Sequence, residues 1–264
     1  MAFAKSAKRG LALLGSAAMM VGFAAPTFAA PTFAAPAQAA DASTNEYYVQ
    51  VDANLLNQIK GTAGQNILYG PTKVTAADVQ TATGKAPEAQ TVLDVLKTAC
   101  GADNVISGSW GASGSFLTGF NKTGLNKPAS ITQTEYTAKG HGATDVMFDY
   151  NVNDGAAGSL STAEYAGTAG WMFSVNNESA PSVSPYYYSV DDLVSDTSKG
   201  YGNKAVIRFE YSLSGGADIG LTDSWVPQSV NDDGSYNWND TLQIVKESGR
   251  VDMTQSIRDA ANAQ

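Results

Sequence analysis

The sequence predicts an α+β fold, and three stretches carry that expectation. Lys204–Leu213 alternates cleanly, with Ala205, Ile207, Phe209 and Tyr211 on one face, as a buried strand does. Gly170–Asn177 reads as a second strand ending in a turn: Trp171, Phe173 and Val175 share one face, and Asn176-Asn177 suits the left-handed backbone of a hairpin. Thr91–Cys100 has helical spacing instead. Val92, Val95, Leu96 and Ala99 form an apolar stripe, Thr91 stands at the N-cap with Asp94 three residues on, and Gly101 ends the run. Such a helix needs a sheet to pack on.

The chain begins with a segment outside this fold. Lys5, Lys8 and Arg9 precede an apolar run over residues 11–25, and Ala37-Gln38-Ala39 makes a small-residue cleavage site. This pattern predicts a secretory signal peptide over residues 1–39 and a secreted or cell-surface location. Prolines at 26, 31 and 36 interrupt the run before it reaches membrane-spanning length, and no later stretch does so, so the chain is expected not to span a membrane. The full chain carries a net charge of −9, and loss of a leader with three basic and no acidic residues makes the rest more acidic still. That charge disfavours nucleic acid as a partner. Cys100 is the one cysteine, so no internal disulfide supports an exported fold and the core must suffice.

Taken in order, Glu46–Asp52 reads as the first strand, and residues 53–66 hold a short helix through Leu55, Leu56 and Ile59, ended by Gly61. Ile67–Val74 reads as a second strand bent at Gly70-Pro71. Beyond the Thr91 helix, strand-like patches occur at Val105–Ser107 and Gly114–Phe120. Residues 127–168 read as an insertion of loops with one hairpin, including a strand-like patch at 144–150. Residues 215–239 read as loop, and 241–264 as a polar helical tail broken at Gly249. The expected organisation is a domain over 40–225 and a C-terminal extension over 226–264.

Four pieces in order are Thr91–Leu96, Gly114–Phe120, Gly170–Asn176 and Val206–Tyr211. Together they resemble the bacterial surface modules related to the C-terminal domain of transcobalamin and intrinsic factor, a group often classed as a domain of unknown function. The resemblance spans roughly residues 46–213. It implies a β-grasp-like sheet with one packed helix. In the vertebrate relatives this domain closes over one face of cobalamin, and apolar residues of two strands touch the corrin ring. By resemblance, Phe116, Leu117, Trp171 and Phe173 line such a surface here. Tyr187, in the Tyr186–Tyr188 triplet, stands at its rim. The 127–168 insertion either covers that face or builds a new one.

The residues themselves offer little for bond-making chemistry. His141, the one histidine, lies among glycines and reads as an exposed loop residue. Cys100 ends the helix stripe and reads as a buried small hydrophobe. Asp149–Gly155 begins like a calcium loop, but its glycine falls one place late and Leu160 stands where a bidentate Glu belongs; Asn231–Gly234 reads as a turn. The expectation is an exported, non-enzymatic ligand-binding module with no cofactor of its own, whose ligand is a corrinoid or another small hydrophobic molecule. The alternative is a structural or adhesive surface protein that contacts another surface protein through the same fold.

Overall fold

The computed structural model describes residues 42–109, 114–142, 148, 157–178, 189–233 and 235–264. Residues 1–39, where the sequence leads one to expect a signal peptide, the 144–150 patch (Phe148 apart) and Tyr186–Tyr188 lie outside the described residues. The architecture is mixed α+β. Its main sheet has four strands in the order β2-β1-β7-β6: β1 is Glu46–Asp52, β2 Ile67–Thr75, β6 Gly170–Val175 and β7 Ala205–Ser212. The two inner strands, β1 and β7, run parallel, while β2 and β6 flank them antiparallel. The clearest sequence pattern, in β7, thus belongs to a central strand buried at every position. The Trp171 strand, β6, is an edge.

The chain enters β2 through α1 (Asn54–Lys60), which Gly61 ends in the left-handed conformation. Within β2 position 70 has to be glycine. A Cβ on Gly70 would collide with the carbonyl of Val49, and the β1–β2 register shifts at that level. After β2 comes α2 (Ala76–Thr83), capped by Thr75 and Asp78, and then α3 (Val92–Cys100), whose Thr91–Asp94 capping box forms as expected. Val92, Val95, Leu96 and Cys100 of α3 share one core with the odd-numbered residues of β1 and β7, and α3 lies closest to β2.

A second sheet, β3-β4-β5 (Val105–Ser109, Ser115–Asn121, Ser159–Ser161), is antiparallel and joins the same core. Trp171 is its hinge to the first sheet. The indole N–H donates to the Leu160 carbonyl at 3.1 Å, and the ring meets Phe120 edge-on at 4.7 Å. The insertion read as loop also contains α4 (Gln133–Ala138), capped by Thr132 and Glu135, whose Tyr136 is fully buried.

The C-terminal part departs most from expectation. Residues 215–239 contain β8 (Ser224–Pro227), and Thr241–Ile244 is not helix but β9, its hairpin partner. The boundary expected at 225 therefore falls inside β8. Only Thr254–Asn262, α5, is helical. It is not a free tail: Ile257 and Ala261, one turn apart, pack on Tyr48 and Val206 and cover the second face of the main sheet. Among the described residues no helix is long and apolar enough to cross a membrane.

Candidate functional site

Strand geometry divides the main sheet into two unlike faces. Odd-numbered residues of β1 and β7 enter the core, so Tyr48, Gln50, Asp52, Val206, Arg208 and Glu210 share the other face. Its apolar end, Tyr48 and Val206, lies under α5. Its polar end is a chain of charges. Arg208 Nε donates to Asp52 Oδ2 at 2.8 Å and Nη2 to Oδ1 at 3.2 Å. Arg208 Nη1 lies 2.9 Å from Glu210 Oε1, and Glu210 Oε2 accepts from Arg250 Nη2 at 2.6 Å. Gln50 and Ser174 complete the set, by hydrogen bonds to Asp52 and Arg250. Burial works against the Arg208 charge, but Asp52 and Glu210 outweigh it and raise the guanidinium pKa further.

Arg250 comes from a strap, residues 245–253, that runs between β9 and α5. The Glu247 amide donates to the Ala217 carbonyl at 2.9 Å, and Arg250 Nη1 to the Ile219 carbonyl at 3.0 Å. The Glu247 side chain reaches the loop after α4. Its Oε2 lies 2.8 Å from His141 Nδ1, and its Oε1 accepts the Gly142 amide at 3.0 Å. His141 is therefore not the exposed loop residue expected. Its side chain is only 10% accessible and its ring stacks on Tyr136, with centroids 4.9 Å apart and planes 21° off parallel. Behind that ring the Tyr136 hydroxyl bonds Asp218 Oδ2 at 3.2 Å. Burial raises the Asp218 carboxyl, although Ser212 and the Leu213 amide donate to it. Burial also pushes the Tyr136 hydroxyl well above its ordinary value, reinforced by the Asp218 charge.

Sheet, strap and the α4 loop enclose a cleft of about 700 Å³. Asp52, Arg208 and Glu210 of the sheet, His141, Asp218, the strap, and Gln58 and Gln65 line it. That volume falls within the usual span of small-molecule pockets, but the lining is far more polar than most. Asp52, Glu210, Asp218, Glu247 and Asp252 face Arg208, Arg250 and His141, so carboxylates are in excess. Among the described residues no group of three or more His, Cys, Asp or Glu side chains is arranged to hold a metal ion.

Of the residues expected to line a ligand surface, the described ones, Phe116, Leu117, Trp171 and Phe173, do not border this cleft. Trp171 is 8% exposed, packed against Phe120 and Tyr211 with its indole N–H on the Leu160 carbonyl. Phe173 is half-buried and stacked on Phe209 at 4.8 Å. Phe116 and Leu117 are half-buried on β4, Leu117 against the core and Phe116 over Gly108. Tyr187 lies outside the described residues, as does the 149–155 turn. Cys100 is buried as expected, and burial pushes its thiol up to about 12. The cleft's residues escaped the sequence reading because Asp52 and Arg208 are 156 positions apart, and Glu247 and His141 are 106 apart. The one local signal was Arg208 and Glu210 side by side on the second face of an otherwise apolar strand.

Comparison with protein-family models, with characterised proteins and with solved structures finds no match for this chain.

Proposed function

We propose that this is an exported, non-enzymatic ligand-binding module that takes a small polar molecule into the cleft between the main sheet and the 245–253 strap. The observation that carries the reading is the cleft itself: about 700 Å³ lined by charges already paired with one another. A lining built in this way is rigid before a ligand arrives, which reduces the ordering cost of binding. The sheet order β2-β1-β7-β6, with parallel inner strands and α3 across one face, supports a β-grasp-like reading. It fits the resemblance to the transcobalamin-related modules. A corrinoid is a poorer fit than that resemblance implies. Trp171 is buried in the core, and the cleft is lined mainly by charged and polar residues rather than by an apolar surface.

The adhesive alternative has one observation in its favour. Trp225 on β8 is 59% exposed, with Val245 and Val251 exposed in the segments that follow β9. The test separates the readings. The mature chain is titrated with a library of small polar metabolites and with cyanocobalamin by ligand-observed NMR, alongside Ser256→Trp, which fills the cleft from α5, and Trp225→Ala. Binding of a small polar compound that Ser256→Trp abolishes and Trp225→Ala spares supports the cleft. Binding that survives Ser256→Trp, or binding of cyanocobalamin alone, overturns it.

A further inference from the structure

We infer that His141, held by Glu247, is the recognition group of this cleft and selects a ligand carrying an ammonium group. The inference rests on the cleft reading above and adds the class of ligand. It starts from the tautomer. In the neutral ring one nitrogen carries the proton and the other accepts. Nδ1 lies 2.8 Å from a carboxylate oxygen, so it is the donor, and Nε2 becomes the acceptor. Among the described residues nothing bonds Nε2. Stacking on Tyr136 fixes the ring plane, and the Gly142 amide fixes the carboxylate from its other oxygen. His141 lines the cleft, and we take its Nε2 lone pair as the group offered there.

The surrounding charge selects what meets that lone pair. Arg208 is matched by Asp52 and Glu210, and Arg250 by Glu210. Neither guanidinium is left to attract an anion, and Arg250 Nε is sealed from solvent. The carboxylates left over are Glu247 beside the imidazole and Asp218 behind the Tyr136 ring, while Asp252 on the exposed strap is partly offset by Arg250 and Arg258. A carboxylate ligand is repelled here. An alcohol can donate to Nε2 but gains nothing from the field. An ammonium group gains both the hydrogen bond and the charge.

His141 is the only histidine in the chain, so its imidazole signal needs no assignment by mutation. The test follows that signal by ¹H–¹³C NMR at mildly alkaline pH while the mature protein is titrated with three probes of equal carbon count: cadaverine, 1,5-pentanediol and glutarate. Cadaverine is expected to move the signal saturably, and the diol and the diacid to leave it in place. Glu247→Gln, which keeps a hydrogen-bonding group but removes the charge, is expected to weaken cadaverine about fivefold, the worth of one partly exposed charge pair. Asp252→Asn, at an exposed position, gives a second charge-removal variant that leaves the core untouched and is expected to weaken cadaverine in the same direction. Equal shifts from pentanediol or glutarate, or unchanged cadaverine affinity in both variants, overturn the ammonium assignment and leave the cleft reading standing. If no probe moves His141 at tens of millimolar while library compounds still bind in the cleft, the assignment fails alone. If nothing binds there in either experiment, both fail.

Discussion

Replacing Arg208 with methionine removes the centre of the buried charge chain and leaves two carboxylates behind. The Asp52 side chain is 2% accessible and that of Glu210 7%, so neither can turn to water for compensation. Breaking a buried pair by deleting one partner costs about 3–5 kcal/mol. Here the loss falls near 3 kcal/mol (roughly), because Asp52 keeps its hydrogen bond from Gln50 and Glu210 keeps Arg250. With a urea slope of about 2 kcal/mol/M, that moves the unfolding midpoint down by about 1.5 M. It is also a large share of a typical total stability of about 5–15 kcal/mol. The double variant Asp52→Leu/Arg208→Met removes the charges together and should recover most of the loss, since buried pairs are often no better than apolar replacements of like size. Urea unfolding followed by tryptophan fluorescence reads the wild type, the two singles (Asp52→Leu and Arg208→Met) and the double variant. A single variant that loses less than about 1 kcal/mol, as an exposed pair would, refutes the claim that this network is buried and coupled. So does a double variant that loses the sum of the two singles.

Three further outcomes follow from the packing and the caps. Ile257→Ala should cost about 2–4 kcal/mol in urea unfolding, because α5 covers Tyr48 and Val206; a loss within experimental error means that α5 is a tail after all. The Cys100 thiol, buried and pushed up to about 12, should resist Ellman's reagent in the folded protein and react at once in urea; rapid reaction without denaturant contradicts its placement. Burial works to raise the Asp94 carboxyl, but hydrogen bonds from Lys85 and Thr91 prevail and hold it below the ordinary carboxylate range. Its contribution is therefore full above that range and is lost as pH falls through its lowered value. Asp94→Asn should destabilise at neutral pH and approach wild type in acid, and a gap that widens in acid refutes the assignment.

The parts of this fold that could be read in advance are those whose signals are local. β7 declares itself by alternation, α3 by its stripe and by the Thr91–Asp94 box, and the turn after β6 by Asn176-Asn177, both of which adopt positive φ. The same capping signature stands at Thr75–Asp78 and Thr132–Glu135, where it marks α2 and α4. Those helices went unread because eight and six residues are too few to develop an apolar stripe. β8 and β9 are four residues each and alternate weakly, so pairing rather than propensity makes them strands. The candidate site was least legible. It depends on which face of β7 becomes the roofed one, and that is decided by α5, about fifty residues downstream of β7. Without α5 and the strap, Arg208 and Glu210 would read as a solvated face. The aromatic stretch at Trp171 drew attention because a large ring in a strand suits a core and a binding surface equally well, and burial alone separates the two.

The cleft is tested most directly by a crystal of residues 40–264 soaked with a cocktail of small polar fragments. The account predicts fragment density in the cleft over Arg208 and Glu210, within hydrogen-bonding reach of His141 Nε2. Fragments that leave the cleft empty and gather instead on Phe116 and Leu117, or on Trp225, would contradict it.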